Sequence, residues 1–270
     1  MAEASGDRVA AILALVRRNG RVTVEDLTVR FGVTPQTIRR DLNDLTERRL
    51  VARIHGGAVL ATGVENVSYE ARSQMAADAK AEIGRAAADL IPDNASIVID
   101  IGTTTEAVAR ALLQHTGLMV VTNNINVAAE MRAYPGIEVV IAGGTVRQAD
   151  GGIVGEATVD FMRQFRPDHA VIGVSGIDSD GTLLDFDYRE VRVAQAIIEA
   201  SRNVIVVADA TKFGRTAPVR LGGLGDIDVL VTDRCDDERL RRRCREAGVR
   251  LVEANARRPA RTGRAVRAGA

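Results

Sequence analysis

Cysteine is scarce in this chain of 270 residues: only Cys235 and Cys244 occur, at a spacing unlike any zinc pair. A disulfide framework is excluded, and two inert thiols in a reducing compartment are expected. No apolar run reaches the 18 residues that a membrane-spanning helix needs. The N-terminus carries no basic region leading into an apolar stretch, so export is not expected and the chain reads as cytoplasmic. Lysine is nearly absent, two residues against 34 arginines. Net charge is absent as well, but only as a sum. Residues 1–60 hold ten arginines against seven acids, a net +3. Residues 61–256 hold 21 basic and 29 acidic side chains, a net −8, and residues 257–270 hold five arginines and no acid. An acidic body repels DNA, so contact with DNA falls to the basic head.

The length predicts two domains. In the head, residues 5–60, Val9, Ile12, Leu13 and Val16 form one apolar stripe of a helix ending near Asn19-Gly20. Thr23 fits an N-cap followed by Glu25 and Asp26 in the first turn, where the helix dipole favours acids. Val24, Leu27 and Phe31 line the inner face of this second helix, and Gly32 ends it. Thr34-Pro35 opens a third helix, with threonine as cap and proline at its first position. Two short helices joined by a glycine-containing turn make a helix-turn-helix.

At about 100° per residue, Ile38, Leu42 and Leu45 of the third helix share one face, and Gln36, Arg40 and Asn43 lie within about 40° of the opposite pole. Amide and guanidinium groups suit base edges. Thr34, Thr37 and Arg39, at the cap and on the flanks, suit phosphates. Val51–Ile54 and Ala58–Leu60, joined by His55-Gly56-Gly57, read as a hairpin with a Gly-Gly turn, the wing that follows a recognition helix. Arg53 and His55 on it are placed to reach the duplex.

Residues 61–77 are polar and weakly patterned, a linker merging into a helix at 79–90. Seven β runs then alternate with helical stretches: 96–100, 119–122, 138–142, 170–174, 204–208, 229–232 and 250–252. Such alternation implies a mainly parallel sheet covered on both faces, spanning residues 78–256. Ligands of open α/β sheets bind beyond the carboxyl ends of the strands. The unusual residues stand there. Asp100-Ile101-Gly102-Thr103-Thr104-Thr105 joins a strand to a helix and offers hydroxyls and unpaired N–H groups to a phosphate. Asn123, Gly143 with Gly144, Ser175 and Lys212 end later strands, and Lys212 is a compact ammonium where the chain otherwise uses arginine. Glu190 is a further candidate, with Asp187 an alternative to it as acid or base. Asp178-Ser179-Asp180-Gly181 lacks the spacing of a calcium loop and reads as a turn. No cofactor or metal is expected. Residues 257–270 read as a disordered basic tail.

The run Thr34-Pro35-Gln36-Thr37-Ile38-Arg39-Arg40-Asp41-Leu42, with Arg53-Ile54-His55-Gly56-Gly57-Ala58, resembles the signature of the DeoR family of transcriptional regulators. Asp150–Thr158, Gln164–Arg166, Ser175–Gly181 and Phe186–Arg192 extend the resemblance through the body. The resemblance implies a winged helix-turn-helix on a sensor domain related to ribose-5-phosphate isomerase, acting as a repressor on operator DNA. It also implies a phosphorylated metabolite as effector, sn-glycerol 3-phosphate, and a homo-oligomer, dimer or tetramer. Thr34 stands where the family more often has serine, and Thr105 where proline is expected. A repressor of another sugar-phosphate operon, an activator, or an isomerase-like enzyme using Lys212 with Asp187 or Glu190 are the alternatives.

Overall fold

The computed structural model describes residues 2–19, 21–48, 50–54, 56–60 and 69–254. The linker residues 61–68, the tail 257–270 and His55 lie outside the described residues.

The head contains helix α1 (Ala2–Asn19), strand β1 (Arg21–Thr23), α2 (Val24–Phe31), α3 (Pro35–Glu47), β2 (Val51–Ile54) and β3 (Gly57–Leu60). Its helix boundaries follow from side-chain chemistry. Thr23 Oγ1 accepts from Asp26 N at 3.0 Å and starts α2. Gly32, with φ +62°, closes it in the left-handed conformation. Thr34 Oγ1 accepts from Thr37 N at 3.2 Å and starts α3. Ile12, Leu27, Ile38, Leu42 and Leu45 are fully buried and hold the three helices together. Arg8 donates from Nε and Nη2 to the two carboxylate oxygens of buried Asp41, at 2.6 and 3.2 Å, fixing α3 against α1.

The wing has three strands in the order β1-β3-β2. The turn is one residue shorter than the sequence suggests, because Gly57 already belongs to β3 and pairs with Thr23. A Cβ on Gly57 would stand 2.1 Å from Val22 O. That glycine serves close approach of a strand too short to show a pattern.

The body begins with α4 (Tyr69–Gln74), inside the segment expected to be a linker, and α5 (Ala77–Ala88). There follow β4 (Ser96–Ile99), α6 (Thr103–Ala111), β5 (Leu118–Thr122), α7 (Ile125–Met131), β6 (Ile137–Ile141), β7 (Thr145–Val146), β8 (Ile153–Val154), α8 (Glu156–Met162) and β9 (His169–Gly173). The chain continues through β10 (Gly176–Ile177), β11 (Thr182–Asp185), α9 (Tyr188–Ala200), β12 (Val204–Val207), β13 (Val219–Gly223), β14 (Val229–Thr232), α10 (Glu238–Glu246) and β15 (Arg250–Glu253).

The seven expected β runs are the seven strands of one parallel sheet, ordered β15-β14-β12-β9-β4-β5-β6. Successive residues feed two cores. Ile97, Ile99, Val171, Ile205 and Val207 face α5, α6 and α7, while Val98, Ala170, Ile172, Val204 and Val206 face α8, α9 and α10. Strand order reverses between β4 and β9, so the chain leaves a crevice beyond the ends of these two central strands. The β7–β8 hairpin and the antiparallel β10-β11-β13 sheet are additions beyond the expected strands.

Cys235 and Cys244 are free and buried in the second core. Burial raises both thiols, Cys244 to about 11, which keeps them protonated and unreactive. Asp178 and Asp180 form a turn: Gly181 N donates to Asp178 O at 2.9 Å and Thr182 N to Asp180 Oδ1 at 2.8 Å.

Candidate functional site

The outward face of α3 is as the helical angles require. Gln36, Arg39, Arg40 and Asn43 are exposed and Thr37 is half-buried, opposite buried Ile38, Leu42 and Leu45. Thr34 is exposed, but its hydroxyl is occupied with Thr37, at 2.9 Å from Thr37 Oγ1 besides the backbone bond. It is a cap first. Arg53 lies on β2 with its side chain outside the described residues, as is the whole of His55. Asp41, on the inner side of the same helix, is the residue that sequence reading passed over; a charged residue at a buried helical position was its signal.

At the switch point, Gly102 caps α6 with φ +148°, a conformation closed to other side chains. Thr103 and Thr104 follow it in the first turn, whose N–H groups have no partner within the helix. Thr105 is different. Its hydroxyl donates back to Asp100 O and Gly102 O, both at 2.7 Å, so it shapes the loop and has no proton to offer a ligand. Gly144 has a packing role that accounts for its being glycine. Gly143 O accepts from Thr158 Oγ1 at 3.0 Å, and a Cβ on Gly144 would stand 2.3 Å from that hydroxyl oxygen. Gly144 is a packing position, whereas a Cβ on exposed Gly143 would meet nothing within 4 Å.

Lys212 lies just past the end of β12, near Asp209, and it is not alone. The chain's other lysine, Lys80 of α5, is only 5% exposed, and both ammonium groups act on Asp209 at the end of β12. Burial, then Arg215, lower Lys212 to about 7 against the opposing pull of Asp209, with Arg72 and Lys80 adding repulsion. Burial likewise lowers Lys80 to about 8, with Asp209 opposing and Arg72 adding to the shift. Against its own burial, Asp209 is held below the usual carboxylate range by Lys212, Thr211 and Lys80. Two lysines thus share Asp209, and Arg215 and Arg72 repel Lys212 beside it.

The second group of residues is acidic. Asn123 Nδ2 donates to Asp100 Oδ1 at 2.9 Å, and Ser175 Oγ to Asp185 Oδ1 at 2.9 Å. Burial, with Asp185 adding repulsion, raises Asp100 to about 6. Burial and the charges of Asp185 and Asp100 raise Glu190 to about 8. Arg147, on the β7–β8 hairpin, closes this side: it donates to Asp150 at 2.7 and 2.8 Å, to Asp187 at 3.0 Å and to Glu190 at 2.6 Å. Against its burial, hydrogen bonds from Arg189 and Arg147 hold Asp187 at about 2. Glu190 and Asp187 are thus engaged by arginine, and Lys212 belongs to Asp209.

Helix α4 joins the two groups. Arg72 Nη2 donates to Asp150 Oδ2 at 3.3 Å, and Lys80 Nζ donates to Arg72 O. Arg72 Nε is buried with no hydrogen-bond partner among the described residues. Tyr69 OH donates to Glu106 Oε2 at 2.8 Å and accepts from Asn126 Nδ2 at 3.2 Å. Met75, one residue beyond the helix, packs against the core of the head. Sequence reading missed Tyr69, Arg72 and Lys80 because they stand in or next to a segment with no apolar period; the scarcity of lysine was the signal that could have found Lys80.

Residues 8–64 match the DeoR-like helix-turn-helix domain and residues 75–234 match the DeoR C-terminal sensor domain. The chain belongs to the DeoR family. It is 50% identical over 222 residues to the glycerol-3-phosphate regulon repressor of Escherichia coli, covering 82% of this chain and 88% of that one. It is 51% identical over 221 residues to the repressor of the same name from Haemophilus influenzae, covering 82% and 86%. These relatives of the DeoR-family chain are transcriptional repressors, not enzymes. Among solved structures, ribose 5-phosphate isomerase from Plasmodium falciparum aligns at 15% identity and TM-score 0.37, covering 50% of this chain and 52% of that one. Among the described residues no helix is long and apolar enough to cross a membrane.

Proposed function

We propose that this DeoR-family protein is a repressor of the glycerol-3-phosphate-regulon type, released from operator DNA by a phosphorylated metabolite, sn-glycerol 3-phosphate. The observation that carries the effector half is the meeting of both lysines of an arginine-rich chain at Asp209. A phosphate dianion placed between Lys80, Lys212 and Arg72 relieves the mutual repulsion that lowers both lysines. The uncapped N–H groups of α6 and the hydroxyls of Thr103 and Thr104 add directed donors. Asp100, Asn123, Ser175, Asp185 and Glu190 take the hydroxyl-bearing end. The identity of the metabolite rests on the two relatives at 50% and 51% identity.

In the DNA half, Gln36, Arg40 and Asn43 read base edges, and Thr37, Arg39, Arg53 and His55 contact the backbone. A dimer or tetramer in the cytoplasm presents paired recognition helices to a repeated operator. Helix α4 couples the halves. A phosphate that draws the Arg72 guanidinium from Asp150 pulls on the helix whose far end, through Met75, rests on the head. The heads then lose the half-site spacing.

The test is operator binding by fluorescence anisotropy, titrated with glycerol 3-phosphate, ribose 5-phosphate, fructose 6-phosphate and inorganic phosphate. Release by glycerol 3-phosphate at the lowest concentration is expected. Linkage also requires the operator to weaken effector binding by the factor by which effector weakens operator binding. Equal effector affinity with and without operator overturns the mechanism.

A further inference from the structure

The acidic side of the cleft has a surplus of hydrogen-bond acceptors. Asn123 is fully buried, and its Nδ2 donates to Asp100 Oδ1 at 2.9 Å and Ile153 O at 3.4 Å. Those two bonds fix the amide, because the reverse orientation would set its carbonyl against a carboxylate and a carbonyl. Asn123 Oδ1 is left buried with no partner among the described residues. Asp100 is 2% exposed and Asp185 6%. Asp185 Oδ1 takes Ser175 Oγ at 2.9 Å and Phe186 N at 2.7 Å, and Glu190 Oε2 takes Arg147 Nη2 at 2.6 Å. Each carboxylate has room for about four hydrogen bonds. Among the described residues Asp100 takes the Ile101 N–H and Asn123, Asp185 takes Ser175 and Phe186, and Asn123 Oδ1 takes no donor, so acceptor positions remain on this side. A buried acceptor without a donor is costly, so the wall is poised to receive O–H groups.

We propose that Asp100, Asn123, Asp185 and Glu190 are the specificity-determining wall of the cleft, admitting phosphorylated polyols and excluding phosphorylated acids. This rests on the reading that the cleft binds a phosphorylated metabolite. A hydroxyl end donates to the wall and satisfies Asn123 Oδ1. A carboxylate end has no proton to give and brings a further negative charge beside the carboxylates of Asp100 and Asp185. Charge of like sign so placed costs several kcal/mol, or at least about 100-fold in affinity. The cationic corner cannot rescue such a ligand, because the phosphate already occupies it. The chemistry at stake is one functional group: glycerol 3-phosphate and 3-phosphoglycerate differ only in a terminal CH2OH against a carboxylate.

The experiment is titration calorimetry of the full-length protein with racemic glycerol 3-phosphate and racemic 3-phosphoglycerate. A second matched pair is glucitol 6-phosphate and 6-phosphogluconate. For whichever pair binds, the acid is expected to be at least about 100-fold weaker. Asp185→Asn keeps an oxygen for Ser175 and Phe186, and Glu190→Gln keeps one for Arg147. Asp185→Asn is expected to lower that ratio about tenfold or more at pH 7 by removing a charge, and Glu190→Gln to lower it at pH 9, where Glu190 is ionised, while both variants still bind operator. Acid and polyol binding within about threefold of each other overturns the proposal alone. So does a ratio unchanged in both variants while operator binding shows them folded. Failure of all four compounds to bind overturns the reading of the cleft, and the proposal with it.

Discussion

Effector affinity is expected to fall steeply as pH rises through neutrality, which is unusual for a phosphate site. Lys212 titrates at about 7 and Lys80 at about 8, both depressed by burial and by neighbouring cations. Between about pH 6.5 and about pH 8.5 the charged form of Lys212 falls about 25-fold and that of Lys80 about fourfold. The second ionisation of the phosphate, near about 6, works the other way by less than about twofold. If both ammonium groups hold the phosphate, affinity falls about 100-fold over this range; if Lys212 alone does, about 25-fold. Calorimetry with glycerol 3-phosphate at three pH values reads the slope directly. Lys212→Arg supplies a cation that does not titrate in this range and should flatten it to the smaller contribution of Lys80. Glu190 titrates in the same window, at about 8. Glu190→Gln must therefore retain the slope if the lysines cause it. A pH-independent affinity in the parent protein refutes the reasoning.

Three further outcomes are expected. Arg40→Ala should relax base preference, whereas Arg39→Ala should weaken all DNA alike and flatten the salt dependence by about one phosphate contact, read by anisotropy on cognate and scrambled duplexes. Asp100→Asn should stabilise the fold at pH 8. The folded protein holds this proton up to about pH 6 and the unfolded chain only to 3.8, so stability falls as pH rises between the two, at a cost on the order of 3 kcal/mol above that window. A melting temperature at pH 8 no higher than that of the parent protein contradicts this, and the same variant should respond poorly to effector. Tyr69→Phe should leave effector and operator affinities nearly unchanged when each is measured alone, but reduce the effector's ability to release operator. Full release in that variant excludes Tyr69 from the coupling.

What the sequence made legible follows the length over which a physical pattern repeats. Seven apolar runs alternating with helical stretches sufficed for the parallel sheet, each matched within one residue at either end. The stripes of α1, α2 and α3 sufficed for the head, and Thr23, Thr34 and Gly32 set its boundaries. The two-residue strands β7, β8 and β10 leave no periodicity, and neither does β1, whose trace in the sequence was the glycine of its neighbour. Glycines after strands were the weakest guide. Gly144 stands at a strand end but is small for the sake of Thr158. The threonine run misled by one residue for a similar reason, since Thr105 back-bonds to its own loop. Charged residues that meet only in three dimensions were legible just where composition made them rare, as with lysine.

The two ends of the cleft explain each other. Asp100 and Glu190 sit where burial and mutual repulsion push them to about 6 and about 8, and Lys212 and Lys80 sit where the same forces push them down to about 7 and about 8. Both arrangements cost folding free energy, because each group is held away from its preferred charge state. A ligand with a dianion at one end and hydroxyls at the other relieves both at once: it re-charges the lysines and gives the acceptors their donors. Arg72 stands between the two ends, hydrogen-bonded to Asp150 and repelled by Lys80 and Lys212, so its position depends on which charge prevails. Its helix also carries Tyr69, hydrogen-bonded to Glu106, and leads directly to Met75 on the head. On the proposed function these opposed charges lie next to the element that joins sensor to DNA, which is where a ligand's differential affinity must act if it is to shift the equilibrium between bound and released operator.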